Sequence, residues 1–141
     1  IFKSSVFKKS KKNSIVFVGD SVIKGIQLVY SLAEKLNNEN FIIFSRYINK
    51  EEMHGNITIK PWVQDNKYLY ANAKLVIMPS QWQEAYGRVA REAYLLGLNV
   101  LVSNVGGLNE AVDKKRHFIV DEYDNVDAWV RKIKLLIGEK T

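Results

Sequence analysis

Short runs rich in β-branched and aromatic residues recur along the chain, each followed by a stretch with helical spacing, and this alternation most constrains the fold. Ser14-Ile-Val-Phe-Val-Gly19 holds four consecutive apolar residues and ends in glycine, as a strand buried on both faces does. Ile23 to Leu36 follows as a helix, with Ile26, Val29, Tyr30, Ala33 and Leu36 at 3.6-like spacing. Phe41 to Phe44 is a second strand, and the charged residues 47–55 read as a loop. Asn56 to Lys60 alternates as a third strand closed by Pro61-Trp62, and Asp65 to Ala73 is a short helix with Asp65 as its N-cap. Leu75 to Met78 is a fourth strand, Gly87 to Leu96 a helix, Asn99 to Ser103 a fifth strand and Leu108 to Val112 a short helix. Phe118 to Val120 is a sixth strand, and Val126 to Ile137 a last helix with Trp129, Ile133 and Leu136 inward.

Strands alternating with helices imply an α/β domain with about six parallel strands covered on both faces, a Rossmann-like three-layer arrangement. Ligands of such sheets bind at the carboxyl ends of the strands, which Gly19, Ser45, Pro61, Ser80 and Ser103 mark here. The 141 residues, 47% of them hydrophobic, suffice for one domain with a core. No apolar run reaches the roughly 18 residues of a spanning helix. The chain has no cysteine, so disulfides, thiolate catalysis and cysteine-held metals are excluded, in keeping with a reducing compartment. It begins at Ile1 and is expected to be a piece of a longer protein.

Lys3, Lys8, Lys9, Lys11 and Lys12 supply five of the six net positive charges, which leaves the body close to neutral. Residues 1–13 therefore read as a basic linker or tail and residues 14–141 as the domain. With Phe2 and Phe7 the lysine run suits an anionic surface, lipid or nucleic acid; the plainer reading is a solvated connector. Nothing else points to nucleic acid, and none is expected as a partner.

Three segments after strand ends could carry chemistry. Gly19-Asp-Ser-Val-Ile-Lys-Gly25 lets the backbone approach a ligand, and Lys24 offers a point charge to a phosphate, although the loop is neither a P-loop nor a GxGxxG turn. In Gln81-Trp-Gln-Glu-Ala-Tyr-Gly-Arg-Val-Ala-Arg-Glu-Ala93 the chain turns at Gly87 into a helix. There Tyr86, Gly87 and Arg88 can present N–H groups to an anion. Glu84 outside the helix and Glu92 one turn inside can accept from hydroxyls, Glu92 from a ribose diol. The plainer alternative is an ordinary helix with Val89, Ala93 and Leu96 inward and an Arg88–Glu92 surface pair. Gly106-Gly107-Leu-Asn-Glu110 permits a second close backbone approach, and Glu110 also complements the helix dipole. Asp121, Glu122 and Asp124 read as solvated, and His54 and His117 receive no role.

Pro79 to Ala93 and Gly97 to Glu110, set on alternating β/α elements, resemble the C-terminal domain of retaining glycosyltransferases of family 4, the glycosyl transferases group 1. The resemblance runs in order through residues 14–138. It implies the donor-binding half of a GT-B fold, the acceptor-binding N-terminal domain lying outside this chain. The activity implied is transfer of a hexosyl group from a UDP- or GDP-sugar to a glycan or lipid-linked acceptor, with retention of configuration and without a metal. By position, Glu84 and Lys24 are the catalytic candidates, at the donor sugar and the diphosphate. Gly19, Trp62, Tyr86, Gly87, Arg88, Glu92, Gly106 and Gly107 are donor-binding. Two departures stand out. Asp20 occupies a place commonly basic, and Ser45-Arg46-Tyr47 replaces a strand-end glycine, so Arg46 is expected to supply the missing cation. Asp20 also leaves open a non-catalytic nucleotide-binding or scaffold module of the same fold. The resemblance further implies polysaccharide biosynthesis in the cytoplasm, with possible contact at the inner face of the membrane. The fragment alone is expected to be inactive.

Overall fold

The computed structural model describes residues 13–18, 25–64, 66–81 and 87–138. In chain order these form β1 (Ser14–Val18), α1 (Ile26–Lys35), β2 (Asn40–Ser45), β3 (Glu52–His54), β4 (Ile57–Pro61), α2 (Asn66–Tyr70), β5 (Ala73–Met78), α3 (Arg88–Leu95), β6 (Val100–Ser103), α4 (Leu108–Ala111), β7 (Ile119–Val120) and α5 (Val126–Leu136). A single 3₁₀ turn over Arg116–Phe118 leads into β7.

One seven-stranded sheet runs in the order β3-β4-β2-β1-β5-β6-β7. All neighbours are parallel except β3 with β4. The chain winds outward from β1 through β2 to β4, then returns to the other side of β1 and continues through β5, β6 and β7. The strand order therefore reverses between β1 and β5, and loops on the two sides diverge there.

The period of two along each strand divides the core into two layers. Val16, Val18, Ile42, Phe44, Val76, Met78, Val100 and Val102 face Leu69 and Tyr70 of α2, Ala90 and Ala93 of α3, and Leu108 and Ala111 of α4. Ile15, Phe17, Phe41, Ile43, Leu75, Ile77 and Leu101 face Ile26, Val29, Leu32 and Ala33 of α1 and Ala128, Trp129 and Ile133 of α5. Fully burying one such side chain contributes about 1.5–3 kcal/mol, so these two layers supply the main drive to fold.

Several boundaries and orientations differ from those expected. Residues 52–54 are a strand, although Glu52, Met53 and His54 are all exposed. An edge strand with no buried face has no apolar alternation to reveal it; register with β4 and the turn at Gly55 (φ +61°) set it instead. The second helix-forming stretch stops at Tyr70, because the Ser14 N–H binds the Asn72 carbonyl at 3.0 Å and the sheet takes up Ala73. Tyr30 faces solvent at 45% exposure, one position past the buried Val29, and Leu32 takes the inward place. In α3 it is Ala90 with Ala93 that is buried, while Leu96, just past the helix, is exposed. Phe118 closes the 3₁₀ turn rather than opening the strand. Ile23 and Asp65 lie outside the described residues.

Asn56, in the β3–β4 turn, is a tie that no pattern announces. Its amide nitrogen reaches the carbonyls of Ala33 (2.9 Å), Leu36 (3.2 Å) and Glu39 (2.9 Å), tying the end of α1 and the turn after it to this turn. Among the described residues no helix is long and apolar enough to cross a membrane.

Candidate functional site at the carboxyl end of the sheet

β2, β4 and β6 end at Ser45, Pro61 and Ser103 as expected, and β5 ends at Met78, two residues before the fully buried Ser80. Pro61 sits beyond the last β3 pairing, so its missing N–H leaves the ladder intact. Helices α1 and α3 begin on this side of the sheet, on opposite faces of the β1–β5 reversal.

Both begin at glycine for steric reasons. Gly25, the N-cap of α1, has φ +93°, and a Cβ there would lie 2.0 Å from the Pro79 carbonyl oxygen. The start of α1 is thus pressed against the segment leaving β5. Gly87, the N-cap of α3, would place a Cβ 2.4 Å from Leu108 Cδ2, so α3 starts hard against α4. Neither helix has a capping side chain or an acidic residue in its first turn. Their first N–H groups and positive dipole ends therefore remain uncompensated from within the helix. By contrast α5 starts at Asn125, whose side chain accepts from the Asp127 N–H at 3.0 Å.

Glu92 is half-buried, one turn inside α3, and Arg88 at its first position is exposed. Below Glu92 lies Tyr70, fully buried, whose hydroxyl donates to the Val89 carbonyl at 3.4 Å. Burial pushes the Tyr70 hydroxyl well above the usual phenol range, and the charge of Glu92 adds to the effect. The phenol stays a neutral donor beside that carboxylate.

On the β2–β4 flank, Arg46 stacks on Trp62 with 3.7 Å from guanidinium carbon to ring centroid. The Trp62 N–H donates to the Ser45 carbonyl at 2.8 Å, extending the ladder by one bond, and the Tyr47 N–H binds Ser45 Oγ at 3.0 Å. Two residues distant in sequence thereby form one cationic, aromatic wall. On the opposite flank Gly106 adopts φ +52° and Gly107 caps α4, with Glu110 in its first turn.

The loop after β7 is more tightly held than its composition suggests. Asn104 Nδ2 donates to Asp121 at 2.7 Å, Arg116 pairs with the same carboxylate, and Asn109 donates to Asn104 at 2.6 Å. The Asn104 and Arg116 bonds hold the Asp121 carboxyl below the usual range. Gln81 extends this loop's ties to β5: its amide reaches the carbonyls of Pro79 and Tyr123. The expectation of solvated acids thus missed a pin at Asp121, which is exposed but bonded.

Of the expected site residues, Arg46, Trp62, Gly87, Arg88, Glu92, Gly106 and Gly107 are described, on the loops and helix starts at the carboxyl end of the sheet. Gly19, Asp20, Lys24, Glu84 and Tyr86 lie outside the described residues. His54 pairs with Ile57 at the other end of the sheet, and His117 packs on the Phe118 ring, 4.2 Å between centroids. Among the described residues no group of three or more His, Asp or Glu side chains could hold a metal ion. Sequence reasoning missed Gln81 and Tyr70, whose roles come from partners far along the chain.

A family model described as "Glycosyl transferases group 1" matches residues 1–140. The D-inositol 3-phosphate glycosyltransferase of Salinispora tropica is 44% identical over 72 residues, 50% of this chain and 14% of that protein. The capsular polysaccharide biosynthesis glycosyltransferase CapM of Staphylococcus aureus is 29% identical over 121 residues, 85% of this chain and 31% of that protein. Sucrose-phosphate synthase from Thermosynechococcus elongatus superposes with a TM-score of 0.79 at 18% identity, over 98% of this chain and 40% of that one. Anabaena HepE, solved in complex with UDP and glucose, gives 0.73 at 19% identity, over 91% of this chain and 39% of that one. This chain therefore spans less than half the length of each, and the structural likenesses establish the Rossmann-like fold of one half of a GT-B glycosyltransferase. With the strand reversal, the glycine helix starts and a family match over nearly the whole sequence in agreement, the chain belongs to the glycosyl transferases group 1.

Proposed function

We propose that this domain is the C-terminal, donor-binding half of a retaining family 4 glycosyltransferase. It would hold a UDP- or GDP-sugar, without a metal, for transfer of a hexosyl group to a glycan or lipid-linked acceptor. The observation that carries the reading is the pair of uncapped, glycine-started helices, α1 and α3, flanking the β1–β5 reversal. Two positive helix ends that no cap side chain of their own satisfies suit a diphosphate, and Glu92 one turn inside α3 suits the ribose diol beside it. Arg88 stands at the same helix start, and the wall of Arg46 and Trp62 lies on the side proposed for the base. Gly106 and Gly107 border the side proposed for the sugar. Lys24, Glu84, Gly19 and Tyr86 keep the roles that their positions imply: charge neutralisation at the leaving diphosphate, acceptance from sugar hydroxyls, and backbone contact. Anabaena HepE in complex with UDP and glucose, and the capsule glycosyltransferase CapM, support a nucleotide sugar and a polysaccharide pathway. The acceptor, the N-terminal domain, the basic linker at residues 1–13 and a cytoplasmic site at the inner membrane face complete the proposal. The fragment alone would not transfer sugar.

A thermal-shift panel of UDP, GDP, ADP and their sugars, repeated with Glu92→Ala, tests the reading. One nucleotide class should stabilise the chain, by about 2.7 kcal/mol at 100 times its Kd, and Glu92→Ala should weaken every ligand that binds. No stabilisation by any nucleotide would refute it.

A further inference from the structure

Arg46 is held by a group that takes up none of its hydrogen-bond donors. Its guanidinium carbon lies 3.7 Å from the centroid of the Trp62 ring. An indole nitrogen donates and does not accept, so the five N–H groups of the cation stay open towards it. Among the described residues no carboxylate or carbonyl oxygen accepts from them, and the side chain is exposed. The pair is anchored in the backbone. Arg46 follows Ser45, the last residue of β2, and Trp62 follows Pro61, the last of β4. Ser45 is buried and fixes both sides of the contact. Its carbonyl accepts from the Trp62 N–H at 2.8 Å, and its Oγ accepts from the Tyr47 N–H at 3.0 Å.

The sheet order sets this pair to one side of the helix starts. β2 lies next to β1 and β4 one strand further out, whereas α1 and α3 begin at the β1–β5 reversal. With strands about 4.8 Å apart, the pair stands about 5–10 Å beyond the place proposed for the diphosphate, on the side proposed for the base. A guanidinium is a planar fork whose paired donors match two adjacent acceptors on a flat group. Guanine presents O6 and N7 together on one edge. Adenine sets an amino donor beside its N7, which an arginine cannot accept, and uracil has O4 alone on the matching edge. We infer that Arg46, braced by Trp62, selects guanine, which makes the donor a GDP-sugar. The inference deepens the donor-binding reading above and rests on it.

Calorimetric titration of the 141-residue chain with GDP, IDP, ADP and UDP tests this in wild type, Arg46→Lys and Trp62→Leu. IDP lacks the 2-amino group of guanine but keeps O6 and N7. Wild type should bind GDP and IDP alike, each about tenfold more tightly than ADP or UDP, as one bidentate base contact allows. Arg46→Lys keeps the charge and loses the fork, so the preference for GDP over UDP should shrink to within about twofold. Trp62→Leu keeps the arginine and removes its brace, and should lower the preference in part. Melting curves establish that each variant is folded, and the exposed Arg46 position secures the test if Trp62→Leu unfolds the chain. A wild type that binds ADP or UDP as tightly as GDP, or IDP far more weakly than GDP, overturns the inference and leaves nucleotide binding by the domain intact. An equal loss for every nucleotide in Arg46→Lys also overturns it, because the arginine then serves the diphosphate that all four share. A wild type that binds no nucleotide overturns the inference and the donor-binding reading together.

Discussion

The guanidinium carbon of Arg46 lies over the indole of Trp62, 3.7 Å from its centroid, and the contact joins the ends of β2 and β4. The contact constrains Arg46 more than an exposed arginine ordinarily is. In Arg46→Ala the stack, worth about 0.5–1 kcal/mol at an exposed site, disappears and the wall loses its charge. Nucleotide affinity measured by calorimetry should fall by several-fold, and Arg46→Lys should recover only part of it, because an ammonium lacks the flat face that matches the ring. Unchanged affinity in Arg46→Ala would remove this residue from the donor site.

Gly25 is the position least able to accept a side chain. Left-handed backbone and a Cβ within 2.0 Å of a carbonyl oxygen act together in Gly25→Ala. A loss of about 3 kcal/mol or more is expected in urea unfolding, since strain of this kind alone costs about 1–3 kcal/mol. Gly55→Ala is the control. It also has positive φ, but a Cβ there would meet no atom within 4 Å, so its cost should be smaller.

Asn56→Ala should destabilise the domain by about 1–3 kcal/mol, because it removes the donors to three carbonyls at the end of α1. The turn lies at the opposite end of the sheet from the proposed site, so nucleotide affinity of the folded variant should match wild type. A parallel loss of affinity and stability would show that the two ends of the sheet are coupled.

Tyr70 gives a signature at alkaline pH. Its hydroxyl is raised in the folded state, first by burial and then by the charge of Glu92. A raised acid favours the protonated form in the fold, so this contribution to stability is complete below the unfolded tyrosine value of about 10 and declines as pH rises above it. Ultraviolet titration of the tyrosines should show at least one that ionises only as the chain unfolds. Tyr70→Phe should remove that component and make the alkaline loss of stability shallower.

Strand apolarity made the central sheet legible: Ile15 to Val18, Phe41 to Phe44 and Leu75 to Met78 have no polar residue that could face water. The helix starts at Gly87 and Gly107 were legible for the same local reason, that glycine before an apolar repeat opens or closes a helix. What was not legible depended on distant partners. The β3 edge at Glu52–His54 exists through pairing with Ile57 to Ile59, and its own residues are all exposed. Gln81 reads as one polar residue in a polar stretch until Tyr123, 42 positions later, comes beside it. Asp121 likewise becomes a pin only when Asn104 and Arg116 converge on it.

The contrast between Asn125 and the two glycines at 25 and 87 has a last consequence. At α5 the chain completes its own helix with a side-chain oxygen, whereas at α1 and α3 it places a residue that has none. In the proposed complex a phosphate oxygen takes the position that Asn125 Oδ1 takes on α5. The donor would then be a structural part of two helices as well as a substrate, and its departure after transfer would leave both helix ends to water.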